Sequence, residues 1–389
     1  MLPSVSIVGA GPAGLALAAD LQSHGNSVLV YSHPDHLGHA KHLTDNGLLR
    51  VTGVIEGCSN LRLTTDMPEV IAFSHIIALT VPSTGQETML KELMAFDLRQ
   101  HTIVAIPGNL FALIKDANIK VGNILETNLS PYSCRMEEGK LLVLGRKHRL
   151  FIGALHNDVS AGFYEEVQSI FPSVELKWCH SVLEVCLSNV NGVFHPLMML
   201  MNTGRIESTA GDFLLYADGL TRSVANAMQA VDQVRLQIGV ALGFHLRSAI
   251  EISNECYGQR FTDLVDLARN SPPHNKLKSP PDMANRNISE DVPDLLVCWH
   301  SLAERLEIDA SPIAAIIVLV GMATGVNYME TGRNLKRLNL ESVSRSELLG
   351  RFSPRLVKHF VNPVMKTGVA GSDWNACGEI SELSHQPKV

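Results

Sequence analysis

A short apolar segment, a glycine-rich turn and a helix-like apolar segment follow one another at the start of the chain. Residues 4–8 are typical of a buried strand and residues 15–21 of a helix. The turn between them contains the residues that we expect to bind the pyrophosphate of a dinucleotide: Gly9, Gly11, Pro12, Ala13 and Gly14. The first glycine permits a tight bend, the second lets phosphates approach the backbone, and the third lets helix and strand pack closely. The pattern therefore predicts a Rossmann unit.

The end of the second predicted strand, residues 27–31, indicates which dinucleotide is bound. A carboxylate there would hold ribose hydroxyls and repel a 2′-phosphate. This chain has Ser32 and His33 instead, with Lys41 nearby, and these side chains can donate hydrogen bonds or supply positive charge. The sequence thus favours NADP(H), with NAD(H) as the alternative. We also expect Pro82, which follows the strand predicted at residues 76–81, to contact the cofactor.

The histidines of this segment leave two other interpretations open. The segment can be a solvated loop, or His33, His36 and His39 can bind a metal ion. No set of cysteines or carboxylates completes a recognisable ligand pattern, so we expect no metal site.

Composition excludes several classes of function. The net charge of −7 argues against a nucleic-acid-binding surface. The longest apolar run, residues 312–320, is too short to span a bilayer, and the N-terminal segment is a predicted strand rather than a signal peptide. The seven cysteines are odd in number and lack C-x-x-C spacing, which is typical of reduced thiols. We therefore expect a cytoplasmic protein with no nucleic-acid or membrane partner.

The 389 residues predict two domains. Strand-like segments at residues 76–81 and 102–106 end in small or polar turns, which predicts a doubly wound parallel sheet. Residues 141–144 and 150–153 resemble a hairpin that extends this sheet, so the α/β N-terminal Rossmann domain should comprise residues 1–178.

Long apolar stretches with helical periodicity follow, at residues 183–201, 220–248 and 294–328. They predict an all-α C-terminal domain over residues 179–352. The last segment, residues 353–389, is mixed and polar, and we interpret it as a tail.

Two polar groups interrupt the apolar helical half. Asn189, Asn191 and His195 lie in an otherwise apolar helix, where unpaired amides are costly to bury, so they either satisfy one another or line a cleft. Arg286 and Asp291 flank a predicted helix start. A histidine with a carboxylate partner can donate a proton near neutral pH, and an arginine can bind a substrate carboxylate through two hydrogen bonds. Structural roles for these residues remain the alternative.

Five stretches of the chain occur in the order found in a known family. They are residues 80–86, 126–135, 188–196, 283–291 and 331–340. On these stretches the chain resembles the octopine/nopaline (opine) dehydrogenase family, particularly bacterial opine synthases of the octopine-synthase kind. The resemblance covers about residues 4–350. It implies a Rossmann domain, a helical substrate domain and the reductive condensation of an α-keto acid with the amine of an amino acid.

The same resemblance assigns roles to three residues. His195 corresponds to the catalytic histidine of the family and Asp291 to its carboxylate partner, while Arg286 corresponds to the arginine that helps to hold the keto acid. The chemistry of these side chains agrees with those roles, because a protonated imidazole can polarise the keto oxygen and a guanidinium can neutralise a carboxylate.

Four further residues concern the substrates. Gln86 and Arg135 match family positions near the cleft between the domains, and we expect them, with Asn191 and Arg286, to bind substrate. Structural roles for Gln86 and Arg135 are the alternative. Asn287 departs from the family pattern, because related sequences often have an aromatic residue there. The pocket for the amino acid can therefore differ from that of other members.

The resulting hypothesis is an NADPH-dependent opine dehydrogenase that condenses an α-keto acid, pyruvate in the simplest case, with an L-amino acid through an imine. Its expected partners are these small molecules, and we expect a monomer or homodimer. One alternative is the same chemistry on a larger amine, as in metallophore synthases. Another is an FAD-dependent monooxygenase, which the glycine turn also fits but Ser32 disfavours. A third is a non-catalytic regulator that binds the dinucleotide.

Overall fold

The computed structural model describes residues 2–38, 40, 43, 48–114, 119–155 and 161–354. One compact unit extends to Pro354. Lys41, His39 and the tail from residue 355 onward lie outside the described residues. None of the helices within the described ranges has the length and apolar character needed to cross a bilayer.

The strands of the described chain lie before residue 179. They are β1 (Val5–Val8), β2 (Val28–Tyr31), β3 (Leu48–Gly53), β4 (Gly57–Asn60), β5 (Arg62–Thr64), β6 (Ile76–Leu79), β7 (Leu98–Ala105), β8 (Val121–Thr127), β9 (Tyr132–Glu137), β10 (Lys140–Arg146), β11 (Arg149–Ala154) and β12 (Glu175–Trp178). The α-helices among them are Pro12–Ser23, Met67–Phe73, Ser83–Leu93 and Ala161–Ser169, and short 3₁₀ turns are Pro34–His36 and Phe111–Leu113.

Eight strands form a large sheet in the order β12-β11-β8-β7-β6-β1-β2-β5. The strands from β8 to β5 are parallel, whereas β11 pairs antiparallel with β8 and parallel with β12. The central strands β1, β2 and β6 are buried at every residue, which explains their uninterrupted apolar runs. The predicted Rossmann fold is confirmed, and the glycine turn lies at the carboxyl end of β1, where such sheets bind ligands.

A second sheet, with the order β4-β3-β10-β9, is not evident from the sequence. The predicted hairpin of residues 141–144 and 150–153 is wrong. β10 pairs with β9 and β3, whereas β11 belongs to the large sheet. The true hairpin joins β9 to β10 through Glu138 and Gly139, whose φ angles are 48° and 75°. Two successive positive φ values match the twist of paired strands.

The chain is helical from residue 182 to residue 352, apart from loops and one isolated bridge. The α-helices are Val182–Leu187, Asn191–Met201, Thr203–Thr209, Arg222–Ala241, Ala249–Tyr257, Leu264–Asn270, Arg286–Ser289, Val297–Arg305, Ser311–Thr324, Tyr328–Thr331 and Arg345–Phe352. A π-helical segment, Val292–Leu296, follows Asp291 directly. The all-α second domain is confirmed, but the long helices predicted from periodicity are divided into shorter ones.

Candidate active site

The turn after β1 has the geometry that a dinucleotide pyrophosphate requires. Gly9 has a φ of +124°, which residues with a side chain rarely adopt. A Cβ on Gly14 would lie 2.0 Å from the carbonyl oxygen of Gly9, so only glycine permits this packing. A Cβ on Gly11 would meet nothing within 4 Å, and no side chain caps the helix that begins at Pro12. The first N–H groups of this helix can therefore bind an anion, and the turn fits NAD(P).

Alanine should affect two of these glycines differently. Gly14→Ala is expected to lower the free energy of unfolding by about 1–3 kcal/mol or more, because the methyl group overlaps the backbone. Gly11→Ala should leave the melting temperature unchanged but weaken NADPH binding about tenfold or more, because its methyl group occupies the approach of the phosphates. Thermal unfolding without cofactor and NADPH titration measure the two effects. Equal destabilisation of both variants would contradict these assignments.

The predicted donors at the end of β2 have partners within the protein. Ser32 Oγ donates a hydrogen bond to the carbonyl of His36 at 3.2 Å. His33 Nδ1 accepts the backbone N–H of Asp35 at 3.1 Å. To bind a 2′-phosphate, Ser32 and His33 must give up these hydrogen bonds and form new ones to the phosphate. Lys41, the third predicted residue, lies outside the described residues.

A carboxylate lies beside this site, and its position there is not evident from the sequence. Glu92, near the end of the Ser83–Leu93 helix, places Oε1 2.8 Å from His33 Nε2. Its Oε2 accepts a hydrogen bond from the Tyr31 hydroxyl at 3.0 Å. Glu92 thus ties the end of β2 to the neighbouring helix.

One cavity is lined by residues of both the Rossmann and the helical parts. From the predicted cofactor site it contains Gly11, Pro12, Ala13 and Pro82. From the predicted catalytic and substrate-binding residues it contains Asn191, His195 and Arg286. The structure therefore brings the glycine turn and the polar group of the helical part to one site.

His195 and Asp291 form a hydrogen-bonded pair at this cavity although 96 positions separate them. The imidazole Nδ1 donates to Asp291 Oδ2 at 2.6 Å. The other ring nitrogen, Nε2, lies 3.3 Å from the hydroxyl of Tyr216, a cavity residue that no sequence motif indicates. Burial raises the pKa of Tyr216, so this hydroxyl stays protonated. Asp291 therefore sets which nitrogen of His195 faces the cavity.

Arg286 begins the short helix Arg286–Ser289 and keeps a side chain that is 65% exposed. Asn285 caps this helix by accepting the N–H of Asn287. The guanidinium Nε lies 3.8 Å from Glu290 Oε1, at the edge of ion-pair distance. Burial raises the pKa of Glu290, whereas the charge of Arg286 opposes that shift. Arg286 is thus free to exchange Glu290 for a substrate carboxylate.

Gln86 and Arg135 are not among the residues that line the cavity, and their contacts with substrate stay predictions. The Gln86 amide is buried, donates to the carbonyl of Pro107 at 2.9 Å and accepts from Arg333 at 2.7 Å. Arg135 is exposed on β9 and pairs with Glu137 on the same strand. Both side chains have partners within the protein, and neither lines the cavity.

The predicted asparagine pair divides between the two roles left open by the sequence. Asn189 is buried, and its amide donates to Asn109 Oδ1 on the Rossmann side at 2.8 Å. Asn191 lines the cavity at the start of the helix that carries His195. Asn189 therefore joins the two parts of the protein, and Asn191 can contact substrate.

A buried arginine, Arg333, also joins the two parts. Its side chain donates to the carbonyls of Gly108 and Asn109, and to Gln86 Oε1 at 2.7 Å. Its Nε lies 3.1 Å from Asp294 Oδ1, in the π-helical segment after Asp291. Arg333 belongs to residues 331–340, one of the stretches that resemble the family, but this stretch does not indicate which residues Arg333 contacts.

Known proteins resemble this chain along most of its length. The model of the NAD/NADP octopine/nopaline dehydrogenase alpha-helical domain matches residues 178–324, and that of an NAD(P)-binding Rossmann-like domain matches residues 7–71. Vitopine synthase of Allorhizobium ampelinum is 26% identical over 350 residues, which are 87% of this chain and 96% of that protein.

Two solved structures share the fold. Octopine dehydrogenase with NADH and L-arginine has a TM-score of 0.71 and 18% identity, covering 92% of this chain and 100% of that one. Yersinopine dehydrogenase with bound NADP⁺ has a TM-score of 0.68 and 13% identity, covering 90% and 98%. The two matching family models are described by NAD or NADP, and neither is described by the flavin of the monooxygenase alternative. The chain is thus similar to the octopine/nopaline dehydrogenases in its helical part and to NAD(P)-binding Rossmann-like domains near its N-terminus, and it is an NAD(P)-dependent oxidoreductase that acts on CH–NH groups.

Proposed function

We propose that the protein catalyses the NADPH-dependent reductive condensation of an α-keto acid, with pyruvate as the simplest case, with the amino group of an L-amino acid. Keto acid, amino acid, NADPH and a proton give an N-(carboxyalkyl)amino acid, water and NADP⁺. The observation that carries this proposal is the hydrogen bond of 2.6 Å between Asp291 and His195, because His195 lines the cavity that also contains residues of the glycine turn.

The side chains of the cavity suit the acid–base part of this reaction. With Asp291 accepting from Nδ1, a protonated His195 donates from Nε2 to the oxygen that leaves the reacting carbon or to its nitrogen. Arg286 binds the carboxylate of the keto acid through two parallel hydrogen bonds and so fixes which face of that carbon is presented. When bound, the reduced nicotinamide supplies the hydride.

The preference for NADPH over NADH is the finer part of the proposal. Its support is that Ser32 stands where an acid would hold the ribose hydroxyls, and that His33 follows it. A charge-assisted contact with the 2′-phosphate should make kcat/KM about tenfold or more higher with NADPH than with NADH. The opposite preference would contradict the cofactor part and leave the condensation itself standing.

The test is a screen of purified protein with NADPH, in which pyruvate, α-ketoglutarate and glyoxylate are each combined with every amino acid. We expect NADPH to be consumed only when a keto acid and an amine are both present. The product mass should equal the two substrates minus water plus two hydrogens. Consumption of NADPH with a keto acid alone, giving a hydroxy acid, would overturn the proposal, and so would the absence of turnover in all combinations.

A further inference from the structure

A second cation lies in the active-site cavity and has no part in the chemistry described so far. Lys147, directly after β10, is 6% exposed and lines the same cavity as His195. Its Nζ donates to the carbonyl of Ser130 at 2.7 Å and lies 5.2 Å from the ring centroid of Tyr257. Among the described residues, no carboxylate lies within ion-pair distance of Lys147.

The groups around Lys147 do not neutralise its charge. Burial raises the pKa values of the Cys134 and Cys256 thiols to about 11, so both stay uncharged. Burial lowers the pKa of His274 to about 3, so its ring is neutral, and Arg286 adds a further positive charge nearby. A buried ammonium without a counter-ion is costly. Burial accordingly lowers the pKa of Lys147 to about 8, which still leaves it mostly protonated at neutral pH.

Ring contacts connect Lys147 to the proposed proton donor. From the His195 side, the Tyr216 hydroxyl is 3.3 Å from His195 Nε2, and the Tyr216 ring lies 4.8 Å from that of His274. The His274 ring lies 5.0 Å from that of Tyr257, over which Lys147 is placed. Tyr216, His274 and Tyr257, which all line the cavity, therefore form a continuous series of ring contacts between His195 and Lys147.

We propose that Lys147 binds a carboxylate of the amino-acid substrate, and that the cavity consequently selects amino acids without a cationic side chain. This inference rests on the proposed function, in which Arg286 binds the carboxylate of the keto acid. The amine substrate brings the second carboxylate, and Lys147 is the buried cation of the cavity that lacks an anion. Repulsion by Lys147 and Arg286 disfavours a guanidinium or ammonium side chain in the same space.

Lys147→Met tests the inference, because it removes the charge and keeps most of the length of the side chain. Lys140→Met, at the exposed start of the same strand, is the matched control. We expect Lys147→Met to raise the KM for the amino acid about 10- to 100-fold, the loss of one charged hydrogen bond. kcat and the KM for pyruvate should stay close to those of the control. An unchanged KM for the amino acid would overturn the inference.

Paired substrates identify which carboxylate is bound. If it is the α-carboxylate, the wild type should prefer L-glutamine to its decarboxylated analogue, and Lys147→Met should remove that preference. If it is a side-chain carboxylate, the preference for L-glutamate over L-glutamine should disappear instead. Both preferences surviving in Lys147→Met would overturn the inference. L-Arginine serving as well as L-glutamine in the wild type would overturn the selectivity.

Two measurements separate this inference from a folding defect and from failure of the proposed function. Lys147→Met removes an unpaired buried charge, so its melting temperature should match or exceed that of the wild type. A lower melting temperature with an unchanged KM would indicate a purely structural lysine.

Calorimetric titration of the NADPH-loaded protein with L-glutamine and L-glutamate needs no turnover. Binding that is lost in Lys147→Met supports the inference even if no product forms, and binding that persists overturns it.

Discussion

Replacing His195 by alanine is expected to lower kcat by about 10²- to 10⁴-fold, the usual contribution of a positioned proton donor. NADPH binding should be unchanged, because the proposed pyrophosphate site is the glycine turn and does not include the imidazole. The variant also leaves Asp291 at the cavity without its partner at 2.6 Å. Steady-state kinetics with keto acid and amine together, and NADPH titration, measure the two effects.

The control for this variant is His75→Ala. His75 also lies 2.6 Å from a carboxylate, that of Glu166, but its side chain is 52% exposed and does not line the cavity. Its loss should leave kcat unchanged. Asp291→Asn keeps the shape of the carboxylate and removes its charge, so kcat should fall roughly 10- to 1,000-fold. Normal turnover of His195→Ala would end the assignment of the proton donor.

Arg333→Met should produce the largest loss of stability among the substitutions considered, about 3–5 kcal/mol in the free energy of unfolding. The substitution leaves Asp294 buried without its cation. It also removes the donors to Gly108, Asn109 and Gln86 that join the helical part to the Rossmann loops. Denaturant unfolding measures this loss. The double variant Arg333→Met with Asp294→Asn should be more stable than Arg333→Met alone, because no unpaired carboxylate remains.

Arg337→Met is a matched control on the same segment. Arg337 also reaches the Rossmann part, where it pairs with Glu87, but its side chain is 41% exposed. An exposed ion pair of this kind contributes about 1 kcal/mol or less. If Arg333→Met were no more destabilising than Arg337→Met, the buried network would not hold the two parts together.

Features that depend on local sequence patterns, such as the glycine turn and the helical second half, are predicted well from the sequence. The first turn needs a positive φ at Gly9 and a close backbone approach at Gly14, and the spacing of the glycines predicts both. The pairing of His195 with Asp291 was expected only through the resemblance to a family, because no periodicity relates residues 96 positions apart. The all-helical second half follows from apolar periodicity, although its loops divide the helices more often than the pattern indicates.

The remaining features depend on tertiary contacts. β10 contains the apolar run expected of a sheet strand, but such a run does not indicate that its partners are β9 and β3. Gln86 matches a cleft position, yet Arg333, 247 positions away, binds its amide. In the sequence, Lys147 lies in a basic stretch and resembles a surface lysine. In the structure it is buried and has no carboxylate partner among the described residues.

The most direct test of the proposed reaction follows the hydride. Protein supplied with pyruvate, an accepted amino acid and NADPH deuterated at the transferable position should form an N-(carboxyalkyl)amino acid with one deuterium on the carbon that came from the keto group. Mass spectrometry and proton NMR of the product locate that deuterium. Deuterium found instead in lactate, with the amino acid unchanged, would show that the enzyme reduces the ketone itself and would contradict the proposed condensation.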